Sequence, residues 1–109
     1  QISSIHRDAF RQAIGLNALN LDNNCLHKID SHTFSNLINL RYLFLGENQI
    51  RKIHPDLFSN LKFLKELNLY SNKISYLNDS LFKSLINLEE LNINENHLTE
   101  NSFKLNHLT

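Results

Sequence analysis

Apolar residues recur along this chain with a period of 24 residues. The clearest copy spans residues 40–63, LRYLFLGENQIRKIHPDLFSNLKF, and residues 16–39 and 64–87 repeat its apolar skeleton. A partial copy in residues 1–15 precedes them, and an irregular last copy occupies residues 88–109. A fixed period of this length is typical of solenoids, in which each unit buries its apolar face against its neighbours. The sequence therefore predicts a single repeat domain of 109 residues.

Each unit contains two kinds of apolar spacing, counted from its first leucine as position 1. Positions 4 and 6 lie two apart, which is strand spacing with both side chains on one face. Positions 14, 19 and 22 are spaced by five and three, which suits an irregular or short helical return. The central unit fills the expected core positions 1, 4, 6, 11, 14, 19 and 22 with Leu40, Leu43, Leu45, Ile50, Ile53, Phe58 and Leu61, and the partial copy contributes Ile2, Ile5, Phe10 and Ala13.

One strand and one return arm per unit predict a stack with a parallel sheet on one side. We expect the strands near residues 18–22, 42–46, 66–70 and 90–94. Strands pair at about 4.8 Å, whereas the bulkier arms need more room, so the sheet should be concave. The fold class is then an α/β solenoid.

Position 9 is asparagine in every unit that contains it: Asn24, Asn48, Asn72 and Asn96. The chain turns inward there, and its backbone groups need new hydrogen-bond partners. An inward asparagine offers one acceptor and two donors, so we interpret this column as a structural ladder.

The pattern LxxLxLxxNxLxxLxxxxFxxLxx resembles the typical 24-residue class of leucine-rich repeat. The resemblance covers residues 2 to 98. Repeats of this class resemble those in the ectodomains of Toll-like receptors, Slit-type guidance proteins and small leucine-rich proteoglycans. It implies a right-handed horseshoe with convex arms that binds partners, usually proteins, on its concave face. Neither end carries a polar cap, so we interpret the chain as a fragment whose open core layers favour self-association.

The concave face holds the candidate binding residues, because positions 2, 3, 5, 7 and 8 project there or lie at its edges. The predicted ligand-binding set is Arg41, Tyr42, Phe44, Glu66, Asn68, Tyr70, Glu90 and Asn92. The outward columns are otherwise small or polar, and aromatic side chains occur in them only in the central units. A cluster of exposed aromatic residues is typical of a binding hot spot. Acidic residues outnumber basic ones on this face, which disfavours a nucleic-acid ligand. The alternative is a solvated face with no partner.

Other residue types add little chemistry. Acidic and basic residues balance at 11 each, and no stretch is apolar enough for a membrane span. His6, His32 and His54 fall on one flank, but their loose spacing favours exposed loop residues over a metal site. No catalytic arrangement or phosphate loop is present in the sequence, so we predict neither an enzyme nor a cofactor.

Two residues bear on cellular location. Asn78-Asp79-Ser80 is an N-glycosylation sequon on a return arm, a position compatible with a glycan. Cys25 is the one cysteine, and the sequence leaves open whether it is free or paired with another chain. The sequence thus predicts a protein-binding module of a receptor or of a secreted immune or adhesion protein, extracellular or at the cell surface, with a cytoplasmic location still open. The rival hypothesis is a structural or matrix scaffold.

Overall fold

The computed structural model describes residues 1–99. Four short strands form one parallel sheet in chain order: β1 (Ala18–Asn20), β2 (Tyr42–Phe44), β3 (Glu66–Asn68) and β4 (Glu90–Asn92). The irregular end of the last repeat, from residue 100, lies outside the described residues.

The sheet register follows the 24-residue period. Leu19, Leu43, Leu67 and Leu91 lie side by side on the four strands. Each strand is shorter than the sequence predicts, because the N–H at position 7 bonds a side-chain oxygen instead of the neighbouring strand. Backbone hydrogen bonds between units nevertheless continue past this position, as from the Glu47 N–H to the Tyr70 carbonyl at 2.7 Å.

The return arms are series of tight turns. In each arm four backbone N–H groups donate to carbonyls three residues earlier; in the second full repeat the donors are Leu57, Ser59, Leu61 and Leu64. One arm contains a 3-10 helix, Asp79–Phe82. The expected irregular or short helical return is confirmed.

The core lies between the sheet and the arms. Its fully buried side chains include Phe34, Phe58 and Phe82, which occupy position 19 in successive arms. Ile2 was expected in the core, but 46% of it is exposed, because only one neighbouring unit packs against it in the described structure. Position 18 is an additional core column, occupied by Thr33, Leu57 and Leu81.

No helix among residues 1–99 combines the length and the apolar character needed to cross a bilayer.

Candidate functional site

The candidate site is the solvent-facing side of the sheet, which we call the sheet face. Strand alternation points the leucines at position 4 into the core and the residues at positions 3 and 5 outward. The register places Tyr42 between Ala18 and Glu66, and Phe44 between Asn20 and Asn68. On the adjacent strand pair, Glu66 lies beside Glu90 and Asn68 beside Asn92.

Three aromatic residues, Tyr42, Phe44 and Tyr70, form what we call the aromatic patch. Tyr42 and Phe44 are half-buried on β2, and Tyr70, just beyond β3, is 37% exposed. Asn68 is the strand partner of Phe44, and Tyr70 lies two residues beyond Asn68. Tyr70 is therefore a diagonal neighbour of Phe44. Diagonal neighbours on a sheet lie about 7–8 Å apart, within reach of large side chains.

An open pocket of about 410 Å³ lies next to the aromatic patch, between β3 and β4. Its lining includes the carboxylates of Glu66, Glu89 and Glu90. Within the described part of the chain, no cationic group lies within 4.0 Å of these three carboxylates. Glu89 was not among the predicted binding residues, although Arg41 at the equivalent position 2 was.

Asparagines at position 5 shape the end of three of the four strands. The Oδ1 atom of Asn68 accepts the Tyr70 N–H at 2.8 Å, and Asn20 and Asn92 do the same for Asp22 and Asn94. Asn68, one of the predicted binding residues, is half-buried and also closes the turn that holds Tyr70.

The second repeat has Phe44 instead of asparagine at position 5, and its turn is closed differently. The Gly46 N–H donates to the Asp22 carboxylate of the preceding repeat at 2.6 Å. A Cβ at position 46 would lie 3.2 Å from Asp22 Oδ1 and 3.3 Å from the Tyr70 carbonyl oxygen. The repeat that has an aromatic side chain at position 44 thus also has a glycine at position 46, whose N–H is bound by Asp22 of the preceding repeat.

The asparagines at position 9 bridge adjacent repeats. Asn48 is 4% exposed; its Oδ1 accepts the Leu26 N–H at 3.0 Å, and its Nδ2 donates to the Leu21 and Leu45 carbonyls. Asn72 repeats these bonds one unit later, and Asn24 and Asn96 bond in the same way towards the ends. Their role in this geometry is to join the repeats.

The residues at position 8, just before these asparagines, adopt left-handed backbone conformations. Their φ angles lie between 53° and 59°, at Asn23, Glu47, Ser71 and Glu95. A left-handed conformation directs the chain inward at this point, which presents the following asparagine to the core.

Two histidines of the arms, His6 and His54, act as turn caps. Nδ1 of His6 accepts the Asp8 N–H at 3.1 Å, and Nδ1 of His54 accepts the Asp56 N–H at 3.0 Å. Asp30 and Asn78 occupy the same position in the other arms and cap them with oxygens. No group of three candidate metal ligands occurs among residues 1–99.

The cap at Asp30 also affects its acidity. Its carboxylate accepts the His32 N–H at 2.8 Å, and this bond holds the pKa of Asp30 below its ordinary value of 3.8. Cys25 is a half-buried free thiol whose Sγ lies 3.1 Å from Gln1 Oε1.

Comparison with known proteins identifies the family. A model described as leucine rich repeat matches residues 1–50, 14–74 and 38–98. The chain belongs to the leucine-rich repeat family. Proteins of this family are non-enzymatic interaction modules, so this leucine-rich repeat chain is not an enzyme. A comparison with curated protein sequences gives no match.

Solved leucine-rich repeat structures superimpose closely on this chain. Toll in the Toll–Spatzle complex of Drosophila has a TM-score of 0.86 at 27% identity over 88% of the chain. TLR13 in its complex with ssRNA13 gives 0.85 at 34% identity over 90%. The leucine-rich repeat domain of APL1B gives 0.89 at 27% identity over 91%. The chain covers 13%, 14% and 29% of the Toll, TLR13 and APL1B chains, respectively.

Proposed function

We propose that this leucine-rich repeat segment binds a protein partner on its sheet face, within an extracellular or cell-surface protein. The observation that carries the proposal is the aromatic patch beside the acidic pocket at the centre of the sheet. The partner that fits this surface presents an apolar group next to basic side chains.

The aromatic patch is not needed for the fold. The core beneath it is filled by leucines such as Leu43 and Leu67, which are fully buried. A structural scaffold without a ligand site could carry asparagine at position 5 of every strand, as the other three strands do. Phe44 breaks that column, and Asp22 and Gly46 close its turn instead. Aromatic residues ringed by polar groups are typical of binding hot spots.

The acidic pocket has an unfavourable charge arrangement in the free protein. Glu66 and Glu90 are direct neighbours on adjacent parallel strands and point to the same side. Like charges in this arrangement destabilise a sheet. A lysine or arginine from a partner relieves the repulsion, which makes the pocket suited to a basic side chain.

The solved relatives support binding in general. Toll was solved in complex with Spatzle, and TLR13 in complex with ssRNA13, so related surfaces serve different ligands. The charge of the sheet face favours a protein over RNA here, because phosphates are repelled by Glu66, Glu89 and Glu90.

The sequon at Asn78 supports an extracellular location. Asn78 caps its arm through Oδ1, which accepts the Ser80 N–H at 2.8 Å and the Ser80 hydroxyl at 2.6 Å. An N-linked glycan is attached to Nδ2, so the cap and a glycan are compatible. Glycosidase digestion of protein secreted from animal cells tests this: a mass shift that Asn78→Gln removes supports a glycan, and its absence contradicts one.

The binding proposal is tested with peptides selected from a random displayed library against the intact chain. We expect selected peptides to be rich in Lys or Arg together with apolar residues. The Tyr42→Ala, Phe44→Ala double variant should weaken their binding by about 2 kcal/mol or more in calorimetry. The control is Tyr76→Ala, Ile86→Ala, which removes two exposed apolar side chains elsewhere.

The outcomes are distinct. Unchanged binding by the sheet-face variant, or equal losses in the control, contradicts a site on the sheet face. Selection of acidic peptides by this face would overturn the expected partner charge. Glu66→Gln should weaken binding while slightly raising the stability of the fold, because it removes the repulsion with Glu90.

A further inference from the structure

A second surface lies on the flank where the chain leaves the sheet for the arms. It is a groove of about 560 Å³ between the first two full repeats. Its rim carries cationic and histidine side chains, and its floor is apolar. We call it the basic groove, and its lining is His27, Lys28, Ile29, Arg51, Lys52, Ile53, His54 and Pro55.

The backbone fixes the spacing of the two rows of this groove. The Gln49 N–H donates to the Leu26 carbonyl at 2.9 Å, just before the groove begins. Hydrogen-bonded neighbours of this kind lie about 5 Å apart. Lys28 and Lys52 occupy the same position in adjacent repeats, as do His27 and Arg51. Positively charged residues are therefore aligned across the groove.

Among the described residues, these cations have no anionic partner. Within residues 1–99, no carboxylate lies within 4.0 Å of the charged groups of Lys28, Arg51 or Lys52. The carboxylates of Asp30 and Asp56 lie nearby in the chain, but they approach the Nδ1 atoms of His32 and His54, at 3.4 Å and 4.0 Å, instead of these cations. All three cationic side chains belong to exposed residues, so the groove is open to a ligand.

The groove is specific to one place in the stack. The next repeat has Ser75 and Tyr76 at the positions of Arg51 and Lys52, so the paired basic residues end there. Ile53 and Pro55 are half-buried along the floor, and Ile29 is buried. An apolar floor rewards a ligand that carries an apolar side chain as well as negative charge.

We propose that the basic groove binds an acidic polypeptide segment that carries an apolar side chain. The aligned cations supply charge complementarity, and the floor formed by Ile53 and Pro55 takes up the apolar group. A polypeptide fits better than a nucleic acid, because three cations on an apolar floor give few phosphate contacts. This site is separate from the sheet face, which has the opposite charge.

The test measures binding of a fluorescent peptide made of glutamate, serine and two leucines to the intact chain by anisotropy. We expect saturable binding that weakens as salt is added, since exposed charges are screened. A peptide with lysine in place of glutamate should not bind, and one with serine in place of leucine should bind several-fold more weakly.

Charge reversal localises the site. Arg51→Glu, Lys52→Glu should reduce affinity at least tenfold, whereas Lys62→Glu, Lys83→Glu, with the same change in net charge at exposed positions elsewhere, should have little effect. Circular dichroism melts establish that both double variants are folded, and Lys28→Gln provides a milder second groove variant. The Tyr42→Ala, Phe44→Ala variant should keep the acidic peptide, which separates this site from the sheet face.

Three results would overturn the proposal: no saturable binding of the peptide, equal losses in the groove and control variants, or tighter binding of a single-stranded RNA oligonucleotide that the groove variant abolishes.

Discussion

The Gly46 N–H and the Asp22 carboxylate, which belong to neighbouring repeats, are joined by a 2.6 Å hydrogen bond. In the other repeats the corresponding N–H is bound by the asparagine at position 5 of its own strand. Asp22 therefore replaces an acceptor that Phe44 cannot supply. The aromatic patch is linked by this bond to the repeat before it.

The first prediction is a non-additive pair of substitutions. Asp22→Ala should destabilise the fold by about 1–2 kcal/mol, because it leaves the half-buried Gly46 N–H without its partner. In a Phe44→Asn background the same change should cost much less, since asparagine at position 44 can accept this N–H. Urea unfolding of the four proteins in the cycle measures the coupling. Equal costs in the two backgrounds would show that Asp22 does not replace the missing asparagine.

The second prediction concerns the asparagines that bridge repeats. Asn48→Ala or Asn72→Ala should lower the free energy of unfolding by about 1–3 kcal/mol, because each substitution leaves buried backbone groups without hydrogen-bond partners. The control is Asn17→Ala at an exposed position, expected to lie within about ±0.5 kcal/mol. Equal losses at Asn17 and Asn72 would contradict the bridging role.

The third prediction is a stabilising change at Thr33. This residue is 2% exposed in the position-18 core column, and its Oγ1 has no hydrogen-bond partner in the described structure. Thr33→Val replaces the hydroxyl by a methyl of similar size and should raise stability by about 1 kcal/mol. Thr33→Ser, which keeps the hydroxyl and loses the methyl, should lower it. Thermal melts distinguish them, and a loss in the valine variant would contradict the assignment.

The fourth prediction follows from the lowered pKa of Asp30. Because the folded carboxyl has a lower pKa than the unfolded one, its contribution to stability is complete above about pH 3.8 and is lost as the pH falls through the folded value. Asp30→Asn keeps an oxygen cap, like that of Asn78, without titrating. The parent should therefore lose more stability than the variant between about pH 5 and pH 2. Parallel pH profiles would contradict this linkage.

Recurrence explains which parts of the fold can be predicted from sequence. The strands, their parallel order and the core leucines repeat in every unit, so each prediction rests on several copies. The core role of position 18 is obscured because Thr33 shares that column with Leu57 and Leu81. The leucines at positions 57 and 81 were the sequence signal that could have identified this core column.

The parts that sequence reasoning missed depend on exceptions to the repeat. The bond from Gly46 to Asp22 occurs in the repeat where Phe44 breaks the asparagine column, and no periodic pattern predicts an acceptor from another unit. The capping role of His54 is hidden for a related reason: histidine, aspartate and asparagine share one position but differ in chemistry. The basic groove becomes visible only when equivalent positions of adjacent repeats are aligned in space.

The left-handed residues at position 8 have a consequence for the asparagine that follows each of them. Glu47 has a φ of 53°, a conformation that costs a residue with a side chain about 1–2 kcal/mol. The hydrogen bonds of Asn48 hold this strained turn in place. When Asn48 is replaced, the backbone at Glu47 can relax, and the released strain offsets part of the stability lost with the hydrogen bonds. A glycine at position 47 is not strained, so replacing Asn48 should lower the free energy of unfolding more in a Glu47→Gly background than in the parent.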